Sequence, residues 1–179
     1  REITFGSDGD FSIEALKSRI NADLSNDLGN LCQRSLTMIV KHCNSVVPNS
    51  KNINDSEKIF LSKIANDLPN LSLLVDNQDI NNYIKKIWDV ISEANKYFND
   101  QKPWELKDSN KKLFNNVLFV TADIIKQIAI MINPIMPETS EKILNFFYMS
   151  EDHISIDLLN KDISNSKITD IKPLFPRVE

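Results

Sequence analysis

Glycine is scarce in this chain, with three residues in 179. Gly6, Gly9 and Gly29 cannot be arranged as GxGxxG or GxxxxGKS/T, patterns whose glycines let backbone N–H groups approach phosphate closely. A self-sufficient NAD or ATP site of those kinds is excluded. The seven prolines are also few, so the chain lacks the turn density of an all-β fold. Two cysteines, Cys32 and Cys43, are too few for a zinc site unless His42 and His153 join them in a tetrahedron. On one continuous helix those cysteines would stand about 16 Å apart along the axis, beyond the ~7 Å limit for a disulfide. Both read as reduced, buried thiols of a cytosolic protein. A basic excess is missing too: the net charge is −4 and the sequence pI about 5.3. That is not the footprint of a general nucleic-acid binder, although it permits a local pocket that reads a few bases. Seventeen of the 21 cationic residues are Lys, and Asn and Ile are abundant, a bias read as base composition of the genome and not as function. The longest apolar stretch, Val117 to Met136, is interrupted by Asp123, Lys126 and Gln127 and reads as a core helix, not a membrane span. No leader segment is recognisable, and the start at Arg1 without Met reads as a fragment.

What is present is helical periodicity. A chain of this length should bury roughly 70% of its unfolded surface without disulfides. Ser12 is a good N-cap, followed by a stripe through Ile13, Leu16, Ile20, Leu24, Leu28, Leu31 and Met38/Ile39. This first helix either runs unbroken to about Val46 or breaks near Asn21 to Asp23, and Val47-Pro48-Asn49-Ser50 ends it. A second helix starts near Asp55 or Ser56, and Pro69 is expected to stop or kink it. The third carries Ile80, Tyr83, Ile84, Ile87, Trp88, Ile91, Ala94 and Phe98, with Trp88 in the core. Pro103 opens a short fourth helix, Leu113 to Ile132 form a fifth, and Pro137-Glu138 starts a sixth. After Met149 the pattern weakens into loop with room for one more helix. The expected fold is all-α, an antiparallel bundle of five to six helices. Residues 1–11 read as the end of a preceding domain, 12–149 as the bundle, and 150–179 as an extension packing on it or trailing it.

No catalytic arrangement stands out. Asp8 and Asp10 form a DxD pair that suits turn formation better than metal binding, since no third carboxylate is near. Asn26, Asn30 and Arg34 stand at i, i+4 and i+8, within one stripe about 80° wide on an α-helix. Two amides and a guanidinium fork can match the Watson–Crick edge of an unstacked base, or they can form an ordinary solvated face. Trp104, next to Pro103 and outside the clean stripes, is either a stacking platform for a base or an aromatic capping the bundle end.

At these residues the sequence resembles a known family. Phe5-Gly6-Ser7-Asp8-Gly9-Asp10-Phe11-Ser12, Arg19-Ile20-Asn21-Ala22-Asp23-Leu24 and Asn26-Asp27-Leu28-Gly29-Asn30 are similar to the C-terminal part of bacterial methionyl-tRNA synthetases. Lys102-Pro103-Trp104-Glu105-Leu106, Asn133-Pro134-Ile135-Met136-Pro137-Glu138-Thr139-Ser140-Glu141 and Pro173-Leu174-Phe175-Pro176-Arg177 continue the likeness in the same order. The resemblance implies a helical anticodon-binding domain. Asn30 and Arg34 would contact the CAU anticodon and Trp104 would stack on its cytosine, with Pro103 beside it and Asn26 a further position on that face. Implied partners are initiator and elongator methionine tRNAs and the protein's own catalytic domain, with no DNA and no membrane. The intact enzyme would use ATP with Mg to attach methionine, whereas this fragment lacks HIGH-type and KMSKS-type segments and is expected to hold no cofactor or metal. Nothing follows Glu179, so a monomer is expected, in the cytoplasm. The first helix also resembles valine, isoleucine and leucine enzymes of the same class, and Lys-Pro-Trp-Glu-Leu distinguishes the methionine enzyme from them. A helical protein-interaction module with an exposed apolar groove is the alternative of a different class.

Overall fold

The computed structural model describes residues 9, 12–49, 51, 53–149, 154–169 and 171–179. The expected extended piece before Phe11, the Asp8/Asp10 pair and His153 lie outside the described residues. Among the described residues seven α-helices follow in order: α1 Ile13–Arg19, α2 Asn30–His42, α3 Asp55–Asp76, α4 Ile80–Gln101, α5 Pro103–Ser109, α6 Lys111–Ile132 and α7 Pro137–Phe146. A π-helical segment, Ile20–Gly29, joins α1 to α2 without a break, and a 3₁₀ turn spans Ile156–Asn160. With that first rod counted once, the bundle has six helical units, as the periodicity predicts. Among the described residues no strand occurs, only an isolated antiparallel bridge between Val46 and Lys167.

Local chemistry explains most boundaries. Ser12 caps α1 by accepting from the Ala15 N–H at 3.2 Å. Asn54 and Glu57 form a reciprocal capping box at the start of α3, each side chain accepting from the other's backbone N–H. Pro103 and Pro137 occupy first-turn positions, where a missing N–H has no intrahelical partner to lose. Helix α3 ends in a Schellman turn: Gln78 takes φ 59°, its N–H donates to Val75 O, and Asp79 N–H donates to Leu74 O.

Two expected helix ends shift here. Pro69 does not stop α3, which runs on to Asp76. Pro69 is exposed, so water can serve the carbonyl that loses its N–H partner, while Leu71 beyond it is buried and holds the helix to the core. The first rod ends at His42 and not near Val46, because Asn44 and Ser45 take left-handed conformations (φ 52° and 57°). The chain then pairs with its own tail: Val47 N–H donates to Ser166 O and Ile168 N–H to Ser45 O.

Helix α6 is the axis of the bundle. Every residue from Asn116 to Ile132 is buried, against α4, α7, α2, α5, α3 and the 3₁₀ turn. By length and composition this helix could cross a membrane, but its apolar window is 89% buried inside the fold. Its interior charges are satisfied within the protein. Lys126 Nζ lies 2.8 Å from Asp123 Oδ1 and donates to the carbonyls of Lys161 at 2.7 Å and Leu159 at 3.1 Å. Gln127 Nε2 donates to Asp123 Oδ2 and to Leu61 O. One polar cluster thus fastens α3 and the tail to α6. Trp88 is buried, as expected of the α4 stripe.

Candidate nucleic-acid interface

The rod formed by α1, the π-helical segment and α2 carries Asn26, Asn30 and Arg34. The stripe expected for these three assumes a straight α-helix. Asn26 instead lies in the π-helical segment, whose i→i+5 bonding widens each turn. The Asn26 Oδ1 accepts from Arg177 Nη2 at 3.0 Å, so the tail engages this amide. Asn30 is exposed at the first position of α2, one turn before Arg34, and its side chain makes no hydrogen bond among the described residues.

Arg34 is half-buried and lies over two aromatic rings. Its guanidinium carbon is 5.3 Å from the Phe98 centroid and 5.5 Å from the Trp104 centroid. The two rings meet edge-on, 6.2 Å apart at 64°. Phe98, at the end of α4, is 1% exposed, whereas Trp104, in the first turn of α5, is 41% exposed. Trp104 is therefore neither a buried core residue nor a free surface ring. One side packs on Phe98 and Arg34, and the remainder is open.

The joint between α4 and α5 sets this geometry. A single residue, Lys102, separates the helices and takes a left-handed conformation, φ 45° and ψ 58°. Lys102 O accepts from Glu105 N–H at 2.9 Å, and Pro103 is buried with its φ fixed by the ring. The indole is thus held beside the last turn of α4 by the backbone.

Three residues that sequence reasoning did not single out complete the support. Phe98 reads as a plain member of the α4 stripe, yet it is the floor on which Arg34 and Trp104 meet. Asn95 Nδ2, one turn earlier, donates to Asp27 O at 3.3 Å and to Ile91 O at 3.2 Å, which ties the π-helical segment to α4. Gly29 is pressed so closely that a Cβ there would stand 2.9 Å from Leu24 O and 3.3 Å from the Phe175 ring. Nothing in a single sequence marks the first two. Gly29 alone carries a signal, as a glycine inside a helical pattern.

An aromatic face half open to solvent, a guanidinium fork lying over two rings and a free amide one turn away form a set of groups suited to an unstacked base. A cavity of about 370 Å³ lies elsewhere, between α3 and α4, over Ile64, Leu71, Ile87 and Val90. Ion pairs Lys63–Glu93 and Lys86–Asp67 rim it, and it shares no residue with the Arg34–Trp104 cluster.

Residues 57–172 match the sequence pattern of the family described as anticodon-binding domain of tRNA ligase. The chain is 37% identical over 181 residues to the methionine–tRNA ligase of Brucella suis biovar 1, covering 99% of this chain and 35% of that protein. It is 39% identical over 149 residues to the methionine–tRNA ligase of Mycobacterium tuberculosis strain H37Rv, covering 81% of this chain and 29% of the relative. The crystal structure of the apo methionyl-tRNA synthetase of M. tuberculosis superposes with a TM-score of 0.94 at 34% identity, covering all of this chain and 37% of that one. The same enzyme in complex with methionyl-adenylate gives 0.93. The chain spans about a third of the length of these relatives.

Proposed function

The chain belongs to the anticodon-binding domain family of tRNA ligases, and we propose that it reads the CAU anticodon of initiator and elongator methionine tRNAs as part of a methionine–tRNA ligase. The observation that carries this reading is the seat of the Arg34 guanidinium over Trp104 and Phe98, with the unengaged Asn30 amide one turn away.

Cytosine presents its N4 amine as donor and N3 and O2 as acceptors. Arg34 donates to the acceptors, Asn30 Oδ1 accepts from the amine, and the exposed part of the Trp104 indole stacks on the ring. Uracil carries N3–H where cytosine has the acceptor N3, so two donors would face each other at Arg34 in a partly desolvated site, at about 1–3 kcal/mol, whereas the Asn30 amide can turn to donate to the uracil oxygen. Stacking adds about 1–3 kcal/mol per base with little discrimination. Pro103 acts by holding Trp104, and Asn26 acts at the edge of the site where the tail meets it. Readout by base edges suits an acidic chain, because specificity then does not depend on neutralising phosphates.

The ATP- and Mg-dependent attachment of methionine belongs, on this reading, to sequence beyond the third of the relatives' length spanned here, and this chain contributes binding alone. The protein would act as a monomer in the cytoplasm, in translation. The direct test is binding to an anticodon stem-loop bearing CAU against one bearing UAU, at one fixed salt concentration, for wild type and Trp104→Ala. Each change should weaken binding tenfold or more, about 1.4 kcal/mol. Equal binding of both loops, unaffected by Trp104→Ala, rejects the site.

A further inference from the structure

The charge of the chain is unevenly spread. The net charge is −4, yet residues 30–43 contain Arg34 and Lys41 with no carboxylate, and residues 102–112 contain four lysines against Glu105 and Asp108. The fold sets these two segments side by side. At one end Arg34 lies over Trp104, 5.5 Å from its centroid. At the other, Lys111 Nζ sits 4.6 Å from the Phe114 centroid and donates to the His42 carbonyl at 3.1 Å. Helix α5 connects the two contacts, so it follows α2 in the same direction. Lys41 comes seven residues after Arg34, on the same stripe of α2 and about 10 Å further along it. Lys107 comes one turn after Trp104.

We propose that this face is the seat of the anticodon-stem phosphates, held by Lys41, Lys107 and Lys111; the proposal rests on the anticodon reading above. All three lysines are exposed, and an ammonium on a flexible stem suits a phosphate better than a base edge. From Arg34 to His42 the helix advances about 12 Å, a length that can follow more than one phosphate of an RNA strand. The carboxylates present are poor competitors. Asp108 stands 3.7 Å from Lys107 and Glu105 3.5 Å from Lys102, both as exposed pairs of the weakly bound kind. Lys41 has no ion pair among the described residues. An acidic chain thereby keeps one basic strip, and the strip begins at the base-reading cluster.

The test is stem-loop binding by the full-length protein over a series of salt concentrations, with Lys41→Gln, Lys107→Gln and Lys111→Gln. Each substitution should lower the slope of log affinity against log salt by about one and weaken CAU and UAU loops by the same few-fold factor. Lys111→Arg should retain the slope, separating charge from the packing of Lys111 on Phe114. An unchanged slope in the triple variant, with Trp104→Ala still weakening the CAU loop, overturns the phosphate face and leaves the anticodon reading standing. Failure of the wild type to distinguish the two loops overturns the anticodon reading, and with it the assignment of this face to the anticodon stem.

Discussion

Asn26 Oδ1 accepts a hydrogen bond from Arg177 Nη2 at 3.0 Å, joining the first helical rod to the end of the chain. The contact is one of a row. Ser25 Oγ donates to Pro176 O, and the Asn21 side chain both donates to Val178 O and accepts from Val178 N–H, each at 2.9 Å. The tail is thus laid along the π-helical segment, whose polar side chains serve it as backbone partners. Where the tail meets the rod, Phe175 closes on Gly29.

Gly29→Ala should therefore destabilise the protein although alanine is the better helix former. Propensity alone favours alanine by about 1 kcal/mol. Here the added methyl would stand 2.9 Å from Leu24 O, a backbone atom that cannot rotate aside, and 3.3 Å from the Phe175 ring. Overpacking of this kind costs about 1–3 kcal/mol, so the net sign is loss. Urea unfolding measures it, and faster amide exchange at Val178 would locate the damage at the tail. An alanine variant as stable as wild type rejects the close fit.

Lys126→Met should cost about 3–5 kcal/mol, the usual result of stranding one partner of a buried ion pair. The substitution takes a donor from Leu159 O and Lys161 O and leaves Asp123 buried with only Gln127 as partner. The double variant Asp123→Leu/Lys126→Met should recover most of the loss, because no uncompensated charge remains. Denaturant unfolding of both singles and the double gives the coupling, and simple additivity would count against the pair.

The helices were legible wherever a local rule governed them. Ser12, Pro103 and Pro137 mark starts through their own backbone chemistry, and the α4 stripe from Ile80 to Phe98 follows from burial on one side. Features set by distant partners were not. Pro69 is tolerated because it faces water, and α2 stops early because Asn44 and Ser45 turn toward a tail more than a hundred residues later. The same division runs through the candidate site. Arg34 and Trp104 are visible singly as a fork and a displaced indole. Their meeting over Phe98 depends on the register of α2 against α4, which periodicity does not fix. Arg177 gives no local sign that it will reach Asn26.

Burial raises the Cys32 thiol to about 12, from an ordinary 9. The folded state then holds its proton where the unfolded chain has released it. The stability tied to this thiol is intact below about pH 9 and is lost as pH rises toward 12. Burial also raises Tyr97, whose hydroxyl donates to Glu57 at 2.7 Å, and Tyr83. These groups push in the same direction, so the protein should weaken steeply in alkali. Cys32→Ala should flatten the part of that slope between pH 9 and 12, measured by urea unfolding at each pH. Matching slopes in wild type and variant would reject the contribution of Cys32.

Arg34→Lys separates charge from shape at the proposed recognition site. Lysine keeps the positive charge but not the planar fork that lies over Phe98 and Trp104. The lost cation–π contact is worth about 0.5–1 kcal/mol at a partly exposed position, so stability should fall by no more than that. Recognition should suffer more, because a lone ammonium cannot present two coplanar donors to the acceptor edge of cytosine. Affinity for a CAU stem-loop should fall about tenfold, or ~1.4 kcal/mol, and the preference over UAU should shrink toward unity while the salt slope is kept. Arg34→Gln should lose a comparable amount of affinity and of discrimination, with the salt slope near its wild-type value, because Arg34 meets a base edge and not a phosphate. Titration at several salt concentrations reads both quantities. A lysine variant that discriminates as wild type does would move base recognition away from Arg34 and leave it to Asn30 and Trp104.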